Sequence, residues 1–320
     1  MSSKPKVSVL IPAYNYAHYL GVVICSILSQ TLTDWELIIC DDCSTDNTEE
    51  VVNKYHDPRI RYFKNPRNLG LWGNFNQCAT YAKGEYLFFL CADDYLDKYT
   101  LQYLSDALDI YQEAAIAVIY QVQFINEKGD KLGEIIKKRL GPGLVKGKDI
   151  LFAQCMFAMS VGSPSHVLIR ASILDDGPVF NREIEGVADN ALWCKISERY
   201  DAVYVKDTLL YQRVHDTQAS VYHRAILLDI KNASEMFKEL FERSKILCDS
   251  PFLKHVFIKN RCYPWFDRAI AEVKKREWKR SYLILKYIAV FSKFPWWFPY
   301  FSFLKIKNWL KKKAVNLRTR

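Results

Sequence analysis

The chain has 320 residues, 45 Lys and Arg against 36 Asp and Glu, half of its residues apolar and 14% aromatic, which excludes a disordered chain and a small disulfide scaffold. It is long enough for one large domain or two ordinary ones with a real core. The formal charge of +9 is a property of the C-terminal end, because between 271 and 320 only Glu272 and Glu277 oppose the lysines and arginines, and the preceding part is slightly acidic.

At the N-terminus a short apolar-type run stops at Pro12, too early for a signal-peptide core. Nine cysteines without paired spacing fit a reducing compartment, and the CDDC run at 40–43 lacks a second pair or a nearby His to complete a zinc site. A cytoplasmic location is expected. Along the chain, VSVLI at 7–11 predicts a buried strand, and Leu20, Val23, Ile24, Ile27 and Leu28 recur at helical spacing. A second strand is predicted over 36–40, then a helix over 49–55 with N-cap chemistry from the STDNT run at 44–48. A third strand covers 59–63, a helix 73–83 is ended by Gly84, and a fourth strand covers 85–90. A helix near 100–111 and a strand at 116–120 complete a strand–helix alternation that predicts an α/β fold, a mostly parallel sheet covered on both faces.

Beyond this the pattern changes. The segment 124–135 reads as a hairpin turning at EKGD, 127–130, and is followed by a strand at 166–169, a helix at 189–200 and a strand at 209–214. From 221 onward the chain reads as helices only, so the expected organisation is a domain over 1–220, in halves 1–120 and 121–220, and a helical region over 221–320.

Ligands of open parallel sheets collect at the carboxyl edge of the strands. Three predicted edges carry unusual polar residues: Pro12, Tyr14 and Asn15 after the first strand, Asp41 and Asp42 after the second, Asp93 and Asp94 after the fourth. One aspartate pair is equally well a helix cap. Two pairs on one edge repel and raise each other's pKa unless a cation offsets them, and oxygen ligands favour Mg²⁺ or Mn²⁺. No G-x-G-x-x-G follows the first strand and no G-x-x-x-x-G-K-[ST] occurs, which removes support for dinucleotide oxidoreductases and P-loop enzymes. A Ser-His-Asp or Cys-His centre likewise lacks a local signature.

The runs VSVLIPAYN (7–15), SILSQT (26–31), WELIICDDCSTD (35–46), NLG (68–70), GEY (84–86) and the pair Asp93-Asp94 resemble the successive blocks of family 2 glycosyltransferases of the GT-A fold. DNALW (189–193) and YQRVHDTQAS (211–220) are similar to that family's acceptor half. The resemblance implies a mixed Rossmann-like sheet flanked by helices and an inverting transfer of sugar from a UDP- or dTDP-sugar to a hydroxyl. Under it, Tyr14 stacks on the pyrimidine. Asp42, supported by Asp41, accepts the imide N–H that cytosine lacks. Pro12, Asn15, Arg67, Asn68 and Arg213 belong to the donor surface, with a capping loop or an ordinary ion pair as equal readings for the last three. Asp93 meets the ribose or the metal, Asp94 ligates the metal, and His215 is the candidate for a further ligand. Asp189 is the implied catalytic base, with Glu183 and Glu185 as rivals in sequence. Two positions depart from the pattern: Cys91 stands at the first acidic position before Asp93 and Asp94, and Ala188 replaces the Glu before Asp189. They keep a catalytically inactive nucleotide-sugar binder open as the alternative. A nucleotidyltransferase would need a phosphate loop after the first strand that is not there.

The run FPWWFPYFSFL at 294–304 resembles a membrane span but is broken by Pro295 and Pro299 and is too short for the roughly 20 residues required. With Lys305, Lys307 and Lys311 to Lys313 beside it, the segment 282–320 fits an interfacial anchor on anionic lipid, or a helical cap whose lysines face water. The expected partners are thus a UDP- or dTDP-sugar, a glycan or lipid-linked acceptor and the inner face of the cell membrane, with no nucleic acid.

Overall fold

The computed structural model describes residues 4–136, 140–157, 161–174 and 177–218, with isolated positions between 231 and 284. In chain order the elements are β1 (Val7–Ala13), α1 (Ala17–Leu28), β2 (Trp35–Asp41), α2 (Thr48–Val52), β3 (Ile60–Lys64), α3 (Leu71–Tyr81), β4 (Tyr86–Phe89) and β5 (Tyr95–Leu96). They continue with α4 (Thr100–Ile110), β6 (Ala114–Ile125), β7 (Lys131–Ile136), β8 (Gly143–Val145), α5 (Gly147–Phe157), β9 (Val167–Arg170), α6 (Ala188–Ser197) and β10 (Asp201–Arg213). A six-residue 3-10 segment, Arg182–Val187, leads into α6.

The described strands form one sheet in the order β3-β2-β1-β4-β9-β6-β10-β5, with β7 beside β6 and β8 beside β10. β3, β2, β1 and β4 are mutually parallel. The mainly apolar sequences of β1, β2 and β4 follow from burial on both faces, while β3 at the sheet edge is only partly buried and carries Arg61 and Lys64. Alternation splits them between two cores: Val7, Val9 and Ile11 pack beneath α1 and α4, while Leu10 joins Phe75 of α3 and Trp193 of α6 on the other side. The α/β mixed sheet flanked by helices is therefore present. It is less parallel than the alternation predicts, because β9 runs antiparallel to both β4 and β6. Strands of 1–120 and of 121–218 share this one ladder, and the predicted helical region 221–320 lies outside the described residues except for isolated positions.

Other differences have local causes. β10 starts at Asp201 and not near 209, because a bulge between Val205 and Leu209, with Asp207 at φ 66°, interrupts its two-residue period. α5 was silent to periodicity because Ile150, Leu151, Phe152 and Ala153 are consecutive. Gly84 is not the helix cap: α3 ends at Tyr81 with Ala82 as its C-cap, and a Cβ on Gly84 would collide with the backbone N of Ser8. The Gly84 N–H instead donates to Ser8 Oγ, which donates to buried Glu36.

Helix α1 receives its cap from a distant loop. Asp46 Oδ2 accepts from Ala17 N at 3.0 Å, and Oδ1 accepts from Thr48 N and Thr48 Oγ1 at the start of α2. Burial opposes its ionisation, but these hydrogen bonds outweigh it and hold the carboxyl below its ordinary range. Asp46→Ala is expected to cost about 1 kcal/mol in urea unfolding. Because the folded-state pKa is depressed, that difference is full above the unfolded Asp value and closes as pH falls through the folded one.

Candidate active site

The parallel strands end on one edge and hand their loops to one another. After β1, Tyr14 is 47% exposed, and Asn15 adopts φ 57°. Asn15 N donates to Ser44 Oγ and its Oδ1 accepts from Thr45 N, which ties the β1 loop to the β2 loop. Pro12 pairs with Cys40 in the ladder. After β2, Asp41 is fully buried: Oδ1 accepts from Ser44 N at 2.8 Å and Oδ2 from the Tyr62 hydroxyl at 2.7 Å. Asp42 turns to the loop before α3. Its Oδ1 accepts from Leu69 N at 2.8 Å and Asn65 Nδ2 at 2.9 Å, and its Oδ2 accepts from Gly70 N at 3.0 Å. The expected nucleobase acceptor thus already organises a loop, with lone-pair capacity remaining on Oδ2.

Buried Asn74 stands under this arrangement. Its Nδ2 donates to Cys40 O at 2.9 Å and Ala13 O at 3.3 Å, and its Oδ1 accepts from Asn65. Sequence reasoning passed over Asn65 and Asn74; the available signal was an asparagine in the first turn of a helix with an otherwise buried face. Arg67 and Asn68 are exposed, and Asn68 Oδ1 takes the Gly70 N–H as a capping loop would. Two contacts carry this loop toward α6: Arg182 donates to Leu69 O, and Trp72 Nε1 donates to Glu185 O at 2.6 Å.

A second cluster forms at the end of β4. The ligand atoms of Cys91, Asp93 and Asp94 lie within 4.8 Å of one another. Buried Ser165 accepts from Cys91 N at 3.0 Å, and its hydroxyl favours the ionised forms of Cys91 and Asp94. Burial first, and then adjacent Asp93, pushes the Asp94 carboxyl well above the usual range, against hydrogen bonds from Ser165 and Arg213 N. Burial and the charges of Asp94, Asp93 and Asp189 push the Cys91 thiol up as well. This is the strain a divalent cation relieves, and two carboxylates with a thiol are a fitting donor set.

His215 stands behind Asp93. Nε2 lies 3.0 Å from Asp93 Oδ2 and Nδ1 lies 2.8 Å from Thr217 Oγ1, contacts that an imidazole protonated on Nε2 satisfies together. Gln218 Nε2 also reaches Asp93, and Tyr16 packs edge-on against the imidazole at 5.6 Å. Thr217, Gln218, Tyr16 and Ser165 were not singled out in the sequence, since nothing local distinguishes them from surface polar residues. Arg213, expected at donor phosphates, is buried. Its Nε donates to Asp93 O, Nη1 donates to Asn126 O and Glu127 O, and the guanidinium lies over Tyr19. It ties the β6–β7 turn to the acidic strand end.

Asp189 lies in the first turn of α6, where Val187 is the N-cap residue. Its Oδ1 accepts from the next residue, Asn190, and desolvation raises its pKa to about 6. Its charge contributes to raising the Cys91 thiol, so it lies within electrostatic reach of the acidic cluster, whereas Glu183 and Glu185 are exposed.

The model of the family described as "Glycosyl transferase family 2" matches residues 8–176. A chondroitin synthase of Pasteurella multocida (strain Pm70) is 32% identical over 203 residues, 61% of this chain and 19% of that protein. The chain therefore spans about a fifth of the length of this relative. The Escherichia coli protein WfgD, named UDP-Glc:alpha-D-GlcNAc-diphosphoundecaprenol beta-1,3-glucosyltransferase, is 41% identical over 88 residues, 28% of this chain and 35% of its own. The crystal structure of S. aureus TarS 1-349 in complex with UDP-GlcNAc superposes with a TM-score of 0.57 at 19% identity, covering 90% of this chain and 91% of that one, a likeness of fold.

Asn74→Ala removes the side-chain donor to Cys40 O and Ala13 O and is expected to cost about 1–3 kcal/mol in urea unfolding. Asn74→Asp, which sets an acceptor against two carbonyls, is expected to cost more.

Proposed function

The chain belongs to glycosyl transferase family 2, and from that membership we propose that it moves a glycosyl group, with inversion, from a UDP- or dTDP-sugar to a hydroxyl of a glycan or lipid-linked glycan. The observation that carries this reading is the buried pair Asp93 and Asp94 at the end of β4, within electrostatic reach of Asp189 and on the same sheet edge as the β1 loop with exposed Tyr14. The names of the relatives support it: WfgD is named for a UDP-Glc donor and a diphosphoundecaprenol-linked acceptor, and the Pasteurella protein is a polysaccharide synthase. We place the activity in cell-surface polysaccharide synthesis.

Tyr14 stacks on the pyrimidine, Asp42 accepts its imide N–H through Oδ2, and Asp41 with Pro12 and Asn15 shapes the floor beneath. Arg67 and Asn68 edge the donor. Asp94 and Asp93 would hold Mg²⁺ or Mn²⁺, and His215 reaches the ion only by exchanging its hydrogen bond to Asp93. When bound, the cation offsets negative charge on the departing diphosphate. Asp189 takes the proton from the acceptor hydroxyl as its oxygen bonds to the anomeric carbon and the bond to diphosphate breaks. Burial serves this task, because a carboxyl titrating at about 6 is a stronger base than an ordinary aspartate and is still ionised at neutral pH. Ala188 leaves Asp189 as the carboxylate of that turn.

The domain over 1–220 carries the catalysis, and 221–320 brings it to the inner face of the membrane through 282–320. No helix among the described residues is long and apolar enough to cross a membrane. Only Tyr282, Leu283 and Ile284 of that segment are among the described residues.

Incubation of the full chain with a panel of nucleotide sugars and divalent ions is expected to release UDP or dTDP, and Asp94→Ala is expected to remove the metal-dependent part. Tight donor binding without turnover would favour the inactive binder. Asp189→Asn is expected to lower transfer by about 10²–10⁴ while donor binding persists; near-normal transfer would remove Asp189 from the role. Since the base must be deprotonated, the rate is expected to rise with pH through about 6.

A further inference from the structure

Cys91 occupies a position where the sequence pattern leads one to look for a carboxylate, and the fold does not turn its sulfur away. Sγ shares a 4.8 Å sphere with oxygens of Asp93 and Asp94. Ligand atoms around one small divalent ion lie roughly 3–4 Å apart, given bonds of about 2.0–2.3 Å, so the three can close on one ion by a modest side-chain adjustment. Ser165 Oγ accepts the Cys91 backbone N–H at 3.0 Å, which fixes the backbone from which the thiol projects. Two carboxylates and a thiolate exceed the charge of a divalent ion by one, and the Arg213 guanidinium on the Asp93 carbonyl stands beside them as a counter-charge.

We infer that Cys91 is a sulfur ligand in this cation site, and that the site holds softer divalent ions such as Co²⁺, Zn²⁺ or Cd²⁺ in preference to Mg²⁺. The inference rests on the reading of Asp93 and Asp94 as cation ligands. Mg²⁺ demands near-ideal oxygen geometry and dehydrates reluctantly, whereas sulfur selects softer ions. On binding, the S–H bond breaks, its proton passes to solvent and the electron pair on sulfur forms the metal bond; no oxidant or reductant takes part.

The test is titration of the full chain with Co²⁺ and Cd²⁺ in reducing, oxygen-free buffer, followed by sulfur-to-metal charge-transfer absorption in the near ultraviolet. The same titration is made with Cys91→Ser, Cys91→Asp and Asp94→Asn, and Mn²⁺ binding is measured separately by electron paramagnetic resonance. The expected result is a saturating band in the parent that is lost in both Cys91 variants. Competition should shift at least about tenfold from Co²⁺ toward Mg²⁺ in Cys91→Asp. A band equal in the parent and Cys91→Ser would trace to other thiols, such as exposed Cys25, and overturn the inference. So would Mn²⁺ binding that depends on Asp94 with no Cys91-dependent band, an outcome that leaves the acidic reading standing. Divalent-ion binding unchanged by Asp94→Asn would sink that reading and the inference with it. A parent with no charge-transfer band overturns the inference by itself, and having two Cys91 variants keeps the comparison available if one of them fails to fold.

Discussion

Two adjacent carboxylates, Asp93 and Asp94, are buried at the end of β4, and the surrounding structure is arranged around the difficulty of keeping them there. Burial and mutual repulsion disfavour the doubly ionised pair. The chain answers with hydrogen-bond donors from three separate places: Ser165 before β9, the backbone of Arg213 at the end of β10, and His215 with Gln218 just beyond it. None of these is near in sequence to the acids they serve. The antiparallel insertion of β9 between β4 and β6, and the pairing of β10 with β5, bring them there.

The aspartates at the end of β2 look alike in sequence and live under a different constraint. Asp41 and Asp42 accept hydrogen bonds from the backbone of Ser44, Leu69 and Gly70 and from the Tyr62 hydroxyl. Their negative charge is spread over donors that the loops supply, and they set the shape of the edge on which Tyr14 and Asn15 stand. Asp46 extends the same logic to helix entry, capping α1 and α2 together. One acidic motif therefore joins the β1 loop, the β2 loop and two helices, while Trp72 and Arg182 pass the connection on to the turn that carries Asp189.

Much of the fold was legible because its signals are local. A strand buried on both faces is mostly apolar, as 7–11 and 36–40 are apart from the hydrogen-bonded pair Ser8 and Glu36, and α1 and α4 bury one face each at helical spacing. The hairpin turn between β6 and β7 also shows itself, through Gly129 at φ 91°. Illegible elements are those where the period breaks or never starts, such as the bulged β10 and the apolar run of α5.

For the candidate site, the sequence by itself determined which residue types stand at the strand ends, and with the family blocks it pointed to Tyr14, Asp42, Asp94 and Asp189. Only the tertiary structure decided what each group faces. It engaged Asp42 with a loop, turned Arg213 inward to backbone carbonyls, set His215 behind Asp93, and put the Cys91 sulfur among the carboxylates. The reason is physical: residue type and spacing are properties of the local chain, whereas a hydrogen-bond partner or a charged neighbour is set by contacts across the sheet between segments more than a hundred residues apart, such as Asp93 and His215.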